Sequence, residues 1–70
     1  MMPLTFLQPG EETIIKRVGG TPDVRQHLED MGFVPGGTVL VINTIDGNVI
    51  VNIKESRVAI SREMAMKIMV

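Results

Sequence analysis

The chain contains no cysteine, no tryptophan and no tyrosine, and only two of its 70 residues are phenylalanine. Without cysteine there can be no disulfide framework, thiol nucleophile, iron–sulfur cluster or cysteine-ligated zinc site. The scarcity of aromatic rings removes the platforms on which single-stranded nucleic acids stack and the grooves in which proline-rich peptides dock. The composition therefore disfavours several classes of redox and binding protein.

An excess of charge of one sign is also missing. Seven Lys and Arg face eight Asp and Glu, so the net charge is -1, which offers no attraction to nucleic acid or to an anionic membrane. The apolar runs are far shorter than the roughly 18 residues that a membrane-spanning helix needs. The first residues also lack the basic and apolar regions of a secretory signal. We therefore expect a cytoplasmic protein with no nucleic-acid partner and no direct membrane insertion.

The residues needed for catalysis are sparse. His27 is the only histidine, and Ser56 and Ser61 are the only serines. Neither serine lies in a nucleophile-elbow motif, and Gly19-Gly20 lacks the spacing and the following lysine of a phosphate loop. We expect no enzyme and no catalytic residue.

The chain is rich in branched aliphatic residues, with nine Val and eight Ile among 31 apolar side chains. These side chains favour β-strands, and a chain of this length forms one domain, which we expect to span residues 1–70. Small domains commonly rely on disulfides, metals or partners for stability. Because the first of these is excluded here, self-association into a homo-oligomer remains open.

Alternating and helical patterns of apolar residues predict the order of the elements. The fold class is mainly β, a small closed or nearly closed barrel of about five strands, with one helix after the first strand and a short C-terminal helix. The predicted elements are a strand over Glu12–Val18, a helix from Pro22 to Met31, strands over Thr38–Asn43, Asn48–Lys54 and Arg57–Ser61, and a helix over Arg62–Ile68, with Met69-Val70 as a candidate last strand.

Turn residues and core positions follow from the same patterns. Thr21 is the predicted N-cap of the first helix, and a glycine is placed to end it. Pro-Gly pairs predict tight turns on either side of that helix, Asp46-Gly47 predicts a hairpin turn, and Glu55-Ser56 predicts a short turn. Ser61 is the predicted N-cap of the last helix. The structural turn residues are Pro9, Gly10, Gly32, Pro35 and Gly36; the apolar anchors are Leu4, Phe6 and Leu7, and the helical core stripe is Val24, Leu28 and Met31.

One group of side chains on the first helix could hold a metal. Asp23, His27 and Asp30 are spaced at i, i+4 and i+7, so they share one helix side. Imidazole and carboxylate ligands suit Fe(II), Mn(II) or Zn(II). The simpler interpretation is a solvated face on which two carboxylates flank a surface histidine. We therefore expect no tightly bound cofactor and at most a weak Fe(II) or Zn(II) site.

Three ordered motifs resemble those of the ferrous iron transport protein A (FeoA) family. They are Leu4-x-x-Leu7-x-Pro9-Gly10-Glu11, then Arg25-x-x-Leu28-x-x-Met31-Gly32-Phe33-Val34-Pro35-Gly36, and Val58-Ala59-Ile60-Ser61-Arg62-Glu63-x-Ala65-x-x-Ile68. The resemblance implies an SH3-like barrel. It also implies a small cytosolic accessory protein of bacterial ferrous iron uptake, peripheral at the inner membrane. The implied partner is the large permease whose cytosolic part carries a GTPase domain.

The exposed side of the first helix and a basic rim are the predicted partner contacts. Leu28 matches the family's helix leucine, but its place in the core stripe makes it a core residue first and an interface residue second. Met66 lies off the apolar side of the last helix, which favours exposure. The full set of predicted contact residues is Arg25, Gln26, Leu28, Glu29, Lys54, Arg57 and Met66.

Two other functions compete with a transporter accessory role. The first is a free-standing SH3-like metal- or peptide-sensing regulatory domain, which resembles the C-terminal domain of iron-dependent repressors. The second is a small RNA-binding barrel, which the balanced charge disfavours. The sequence does not decide whether the protein activates or restrains transport.

Overall fold

Two antiparallel sheets surround the core in a computed structural model that describes residues 1–70. One sheet has the strand order β1-β3-β4-β5, and the other pairs β2 with β6. The strands are β1 (Glu12–Ile14), β2 (Arg17–Val18), β3 (Thr38–Ile45), β4 (Asn48–Ile53), β5 (Ser56–Ile60) and β6 (Ile68–Met69); the helices are α1 (Pro22–Asp30) and α2 (Arg62–Ala65), and a 3-10 helix spans Leu4–Phe6. The mainly β prediction with these two helices is confirmed, with six strands instead of about five.

The predicted single strand over Glu12–Val18 is wrong, because the segment forms two strands in different sheets. Strict alternation would place Ile14 and Val18 on one face. In the structure Val18 is buried together with Ile15, three residues away, whereas Ile14 is 54% exposed. A spacing of three does not fit a straight strand, so the segment bends.

The bend lies where the backbone changes its hydrogen-bonding partner. The N–H of Ile15 donates to the carbonyl of Gly37, beside β3, at 2.8 Å. The N–H of the next residue, Lys16, donates to the carbonyl of Met69 in β6, also at 2.8 Å. One segment thereby serves both sheets, which is how strands turn the corner of a small barrel.

The central hairpin of β3 and β4 follows its sequence pattern. Asp46 and Gly47 form its turn with φ values of 51° and 84°, and positive φ at both central residues matches the right-handed twist of the flanking strands. The alternate residues Val49, Val51 and Ile53 of β4 are buried. This hairpin and its inward face are confirmed.

The next turn is shifted by one residue from its prediction. Lys54 and Glu55 are the central residues, with φ values of 48° and 65°. Ile53 and Ser56 therefore pair directly across the turn, and β5 begins at Ser56. A two-residue turn between paired strands requires this geometry, so the predicted turn at Glu55-Ser56 is wrong.

Helix α1 begins at the predicted Pro22 and ends at Asp30, one residue before the predicted Met31, which is its C-cap. The hydroxyl of Thr21 accepts a hydrogen bond from the N–H of Val24 at 3.3 Å. At the other end, Gly32 has a φ of 108°, a conformation that glycine adopts without a steric penalty. The N–H of Phe33 then donates to the carbonyl of Leu28 at 2.9 Å. This is a Schellman ending, which directs the chain back toward the core.

The C-terminal helix is shorter than the predicted Arg62–Ile68. The hydroxyl of Ser61 accepts from the N–H of Met64 at 3.3 Å, as predicted for an N-cap, but α2 ends at Ala65 and Ile68 lies in β6. The difference arises because Ile68 pairs with β2, and an isolated short helix has little stability of its own. No helix in the structure combines the length and apolarity needed to cross a bilayer.

The core consists entirely of apolar side chains drawn from both sheets, both helices and the 3-10 helix. No polar or charged side chain is buried. Val24 of α1 and Met31, the residue that follows α1, pack against it, as the predicted helical stripe requires. The core residues are Leu4, Leu7, Ile15, Val18, Leu28, Phe33, Val39, Val41, Val49, Val51, Ile53, Ile60, Ala65, Ile68 and Val70.

The two phenylalanines provide a matched test of this core. Phe33 is completely buried, whereas Phe6 is 66% exposed. We expect Phe33→Ala to lower the free energy of unfolding by about 3–5 kcal/mol, through lost burial and an empty cavity. Phe6→Ala should change it by less than about 1 kcal/mol. Urea unfolding followed by circular dichroism measures both, and equal losses would contradict the assignment.

A pair of glycines tests the helix ending. Gly32→Ala should cost about 1–3 kcal/mol, because its φ of 108° strains any residue with a Cβ. Gly19 lies outside this left-handed region, and a Cβ there would meet only an ordinary contact at 3.5 Å. Gly19→Ala is therefore the control and should be close to neutral in thermal unfolding. A larger loss for Gly19→Ala would refute the prediction.

Candidate partner-binding and metal-binding surface

The three predicted metal ligands all lie on α1. Asp23, His27 and Asp30 are exposed, and the side-chain amide of Gln26 donates to Asp30 Oδ1 at 2.9 Å. No group of three or more His, Cys, Asp or Glu side chains comes together as a metal site. The trio therefore does not fit a closed coordination sphere supplied by this chain alone, and a metal bound there would need ligands from another molecule or from water.

The predicted contact residues on α1 differ in their exposure. Arg25 and Gln26 are exposed and Glu29 is half-buried, so this side of the helix is accessible. Leu28 is completely buried and offers no surface to a partner, which corrects its place in the predicted contact set. Its helical position directs it into the barrel between Val24 and Met31.

The basic rim and the exposed methionine are accessible as predicted. Lys54 and Arg57 are exposed, and Met66, immediately after α2, is 48% exposed. The stem of Lys54 lies close to Gly32, since its Cδ is 3.4 Å from the position of a Cβ built on that glycine. The rim therefore meets the C-terminal end of α1, which joins two regions that are far apart in sequence.

The predicted turn residues occupy their expected places. Gly10, Gly32 and Gly36 have φ values of 93°, 108° and 90°, and each Pro-Gly turn is closed by a backbone hydrogen bond across it. Pro9 and Pro35 supply the constrained φ at the preceding position. These five residues are structural and orient the strands that carry the surface.

Sequence reasoning missed the position of Phe6, which was expected to be an apolar anchor. Leu4 and Leu7 are buried, but Phe6 is 66% exposed. The segment forms a 3-10 helix, in which residues three apart share a side, so Leu4 and Leu7 point inward together and Phe6 does not. Recognising a spacing of three in Leu-x-x-Leu would have revealed this.

Phe6 borders an open groove of about 250 Å³. The groove lies between the 3-10 helix, the tip of the β3–β4 hairpin and the start of α2. None of its residues belongs to the predicted contact or metal sets. We call it the Phe6 groove; it is lined by Thr5, Phe6, Thr44, Gly47, Val49 and Arg62.

Comparison with known proteins identifies relatives of the whole chain. The "Putative Fe(2+) transport protein A" of Methanocaldococcus jannaschii is 43% identical over 70 residues, which cover 100% of this chain and 85% of that protein. A crystal structure of an iron uptake regulatory protein (FeoA) has a TM-score of 0.88 and 31% identity, and the match covers 96% of this chain and 89% of that one.

Two further structures extend the comparison. Stenotrophomonas maltophilia FeoA, complexed with zinc and described as an SH3 domain protein, has a TM-score of 0.85 and 19% identity over 99% of this chain and 88% of that one. T. acidophilum IdeR has a TM-score of 0.84 and 25% identity, and the match covers 94% of this chain and 31% of the IdeR chain. The SH3-like fold prediction is confirmed.

The predicted motifs, the barrel and these relatives agree over nearly the entire length of the protein. A family model described as the FeoA domain matches residues 2–70. The chain belongs to the FeoA family.

Proposed function

We propose that this protein is a small, non-enzymatic accessory protein of ferrous iron uptake that works in the cytoplasm, at the inner face of the membrane. The observation that carries the proposal is the family match over residues 2–70, together with a 43%-identical relative whose name refers to Fe(2+) transport. Iron is the cargo of the transport system in this proposal, and the protein's part is to contact the transporter.

The interior of the barrel supports a role at the surface. Every core side chain is apolar and no polar side chain is buried, so the interior offers no groups for proton transfer or nucleophilic attack. Ser61 caps α2, and His27 is exposed on α1. A protein built in this way acts through what its exterior binds.

The proposed partner is the cytosolic GTPase domain of the iron permease. The proposed contact surface joins α1 to the basic rim, where Lys54 approaches Gly32. Charged and amide groups on such a surface set the orientation and rate of docking more than the affinity. The proposed contact residues are Arg25, Gln26, Glu29, Lys54, Arg57 and Met66, all at least partly exposed.

A regulatory domain is the second candidate function. The similarity to the repressor IdeR, with a TM-score of 0.84, favours a sensing role for this fold. The match covers only 31% of the IdeR chain. In this case a separate regulator would have to supply the functions of the unmatched part. Retention by a DNA-binding regulator in place of the permease would favour this alternative.

The permease interaction can be measured by isothermal titration calorimetry of the full protein against the purified cytosolic GTPase domain, without nucleotide, with GDP and with a GTP analogue. We expect binding in at least one state and a loss of about threefold on Lys54→Glu, because reversing an exposed rim charge chiefly slows association. Arg17→Glu in β2 changes the net charge equally outside the proposed surface and is the control. Absence of binding in every state would refute the proposed partner.

A zinc titration tests the α1 metal prediction. We expect Zn(II) to bind weakly, with a dissociation constant on the order of 1 mM or weaker, because one helix leaves the coordination sphere open. His27→Ala should remove this binding, and Arg25→Ala is the control on the same helix. Backbone amide chemical shifts of α1 measure the titration in all three proteins, and equal affinity in wild type and His27→Ala would discard the site.

A further inference from the structure

Phe6 is exposed in a chain that has almost no aromatic residues. The only other phenyl ring, that of Phe33, lies completely inside the core, whereas Phe6 is 66% exposed. Its burial therefore contributes little to the stability of the barrel. Phenylalanine and arginine are both enriched in the cores of protein–protein interfaces relative to the rest of the surface.

The Phe6 groove is produced by the way the strands end. Strand β5 stops at Ile60 and the chain turns into α2, while the β3–β4 hairpin continues to its tip at Asp46-Gly47. The gap beside the hairpin is lined on the other side by Thr5 and Phe6. Because Gly47 has no side chain and nothing lies within 4 Å of where its Cβ would be, the groove stays open at the tip.

The chemistry of the groove specifies its ligand. Phe6 provides an exposed apolar ring, Thr5 and Thr44 carry hydroxyl groups, and Arg62 is the only charged residue among the lining residues. Arg62 takes part in none of the five hydrogen bonds that involve a side chain. A guanidinium group without a partner binds a carboxylate through two parallel N–H···O bonds.

We propose that the Phe6 groove binds an extended peptide segment in which an Asp or Glu side chain lies next to an aliphatic one. The carboxylate pairs with Arg62 and the aliphatic side chain packs on the ring of Phe6, while the threonine hydroxyls bond the peptide backbone. The segment belongs to the cytosolic part of the permease, and this assignment rests on the proposed function.

A short segment suits the site better than a second folded copy. Stable interfaces between folded proteins bury about 800 Å² on each partner, and a groove of about 250 Å³ lined by six residues provides only a small part of such an area. Extended segments bind through a few anchor side chains, which is the arrangement that Phe6 and Arg62 offer.

The first experiment uses a peptide probe and the full-length protein. We expect acetyl-Leu-Glu-Leu-amide to shift the amide NMR signals of Phe6, Thr44 and Arg62, with an affinity on the order of 1 mM. The lysine and glutamine analogues of the probe should bind at least about threefold more weakly, because they cannot pair with the guanidinium. Raising the salt concentration should weaken the glutamate probe alone.

Variants of the protein identify the two anchors. Arg62→Gln should abolish the preference for glutamate over glutamine, and Phe6→Ala should weaken both probes about three- to tenfold. Ile14→Ala, at another exposed apolar residue outside both the groove and the proposed contact surface, is the control. Equal affinities of the glutamate, glutamine and lysine probes, or an unchanged preference in Arg62→Gln, would overturn the proposal. Concentration-dependent shifts at Phe6 without any probe would also overturn it, in favour of a second copy.

The second experiment separates this inference from the proposed function. Phe6→Ala and Arg62→Gln are titrated with the permease GTPase domain alongside Lys54→Glu. If wild type binds and both groove variants bind at least about threefold more weakly, the segment is assigned to the permease. If wild type binds and the groove variants are unchanged, the assignment is overturned while the proposed function stands. If wild type does not bind, the proposed function fails, and the peptide measurements alone decide whether the groove binds an acidic segment.

Discussion

The bend between Ile15 and Lys16 is the constraint on which the whole barrel depends. On one side of it the backbone bonds toward β3, and on the other it bonds to β6, so one short segment joins the two sheets. The C-terminal strand can then close the barrel, and Met2 and Val70 exchange hydrogen bonds of 3.1 and 2.8 Å. In a chain without disulfides, this hydrogen bonding and the apolar core together hold the ends in place.

Apolar side chains fill the interior of the barrel, so the groups that carry function can lie only at the surface. The helix ending at Gly32 directs Phe33 inward beside Leu28, and the barrel holds apolar side chains alone. The polar chemistry of the molecule is therefore confined to its exterior. This division agrees with membership of the FeoA family, and the same fold also forms one part of a longer chain in IdeR.

The exterior carries three regions of different chemistry. The α1 side has carboxylates and a histidine, the rim at Lys54 and Arg57 is basic, and the Phe6 groove combines an aromatic ring with an unpaired guanidinium. The first two follow from the spacing and charge of neighbouring residues. The groove does not, because its walls come from three elements that are distant in sequence and meet only after β5 has left the sheet.

The sequence alone determined the local elements of this protein. Thr21 and Gly32 delimit α1, Asp46-Gly47 turns the central hairpin, and alternating Val and Ile select the inward faces, since each depends on neighbouring residues and backbone conformation. Only the tertiary structure decided the meeting of Phe6 with Thr44 and Arg62 in one groove and the partition of the first strand between two sheets. These features depend on which distant segments compete for the same space and the same hydrogen bonds, and no local pattern encodes that competition.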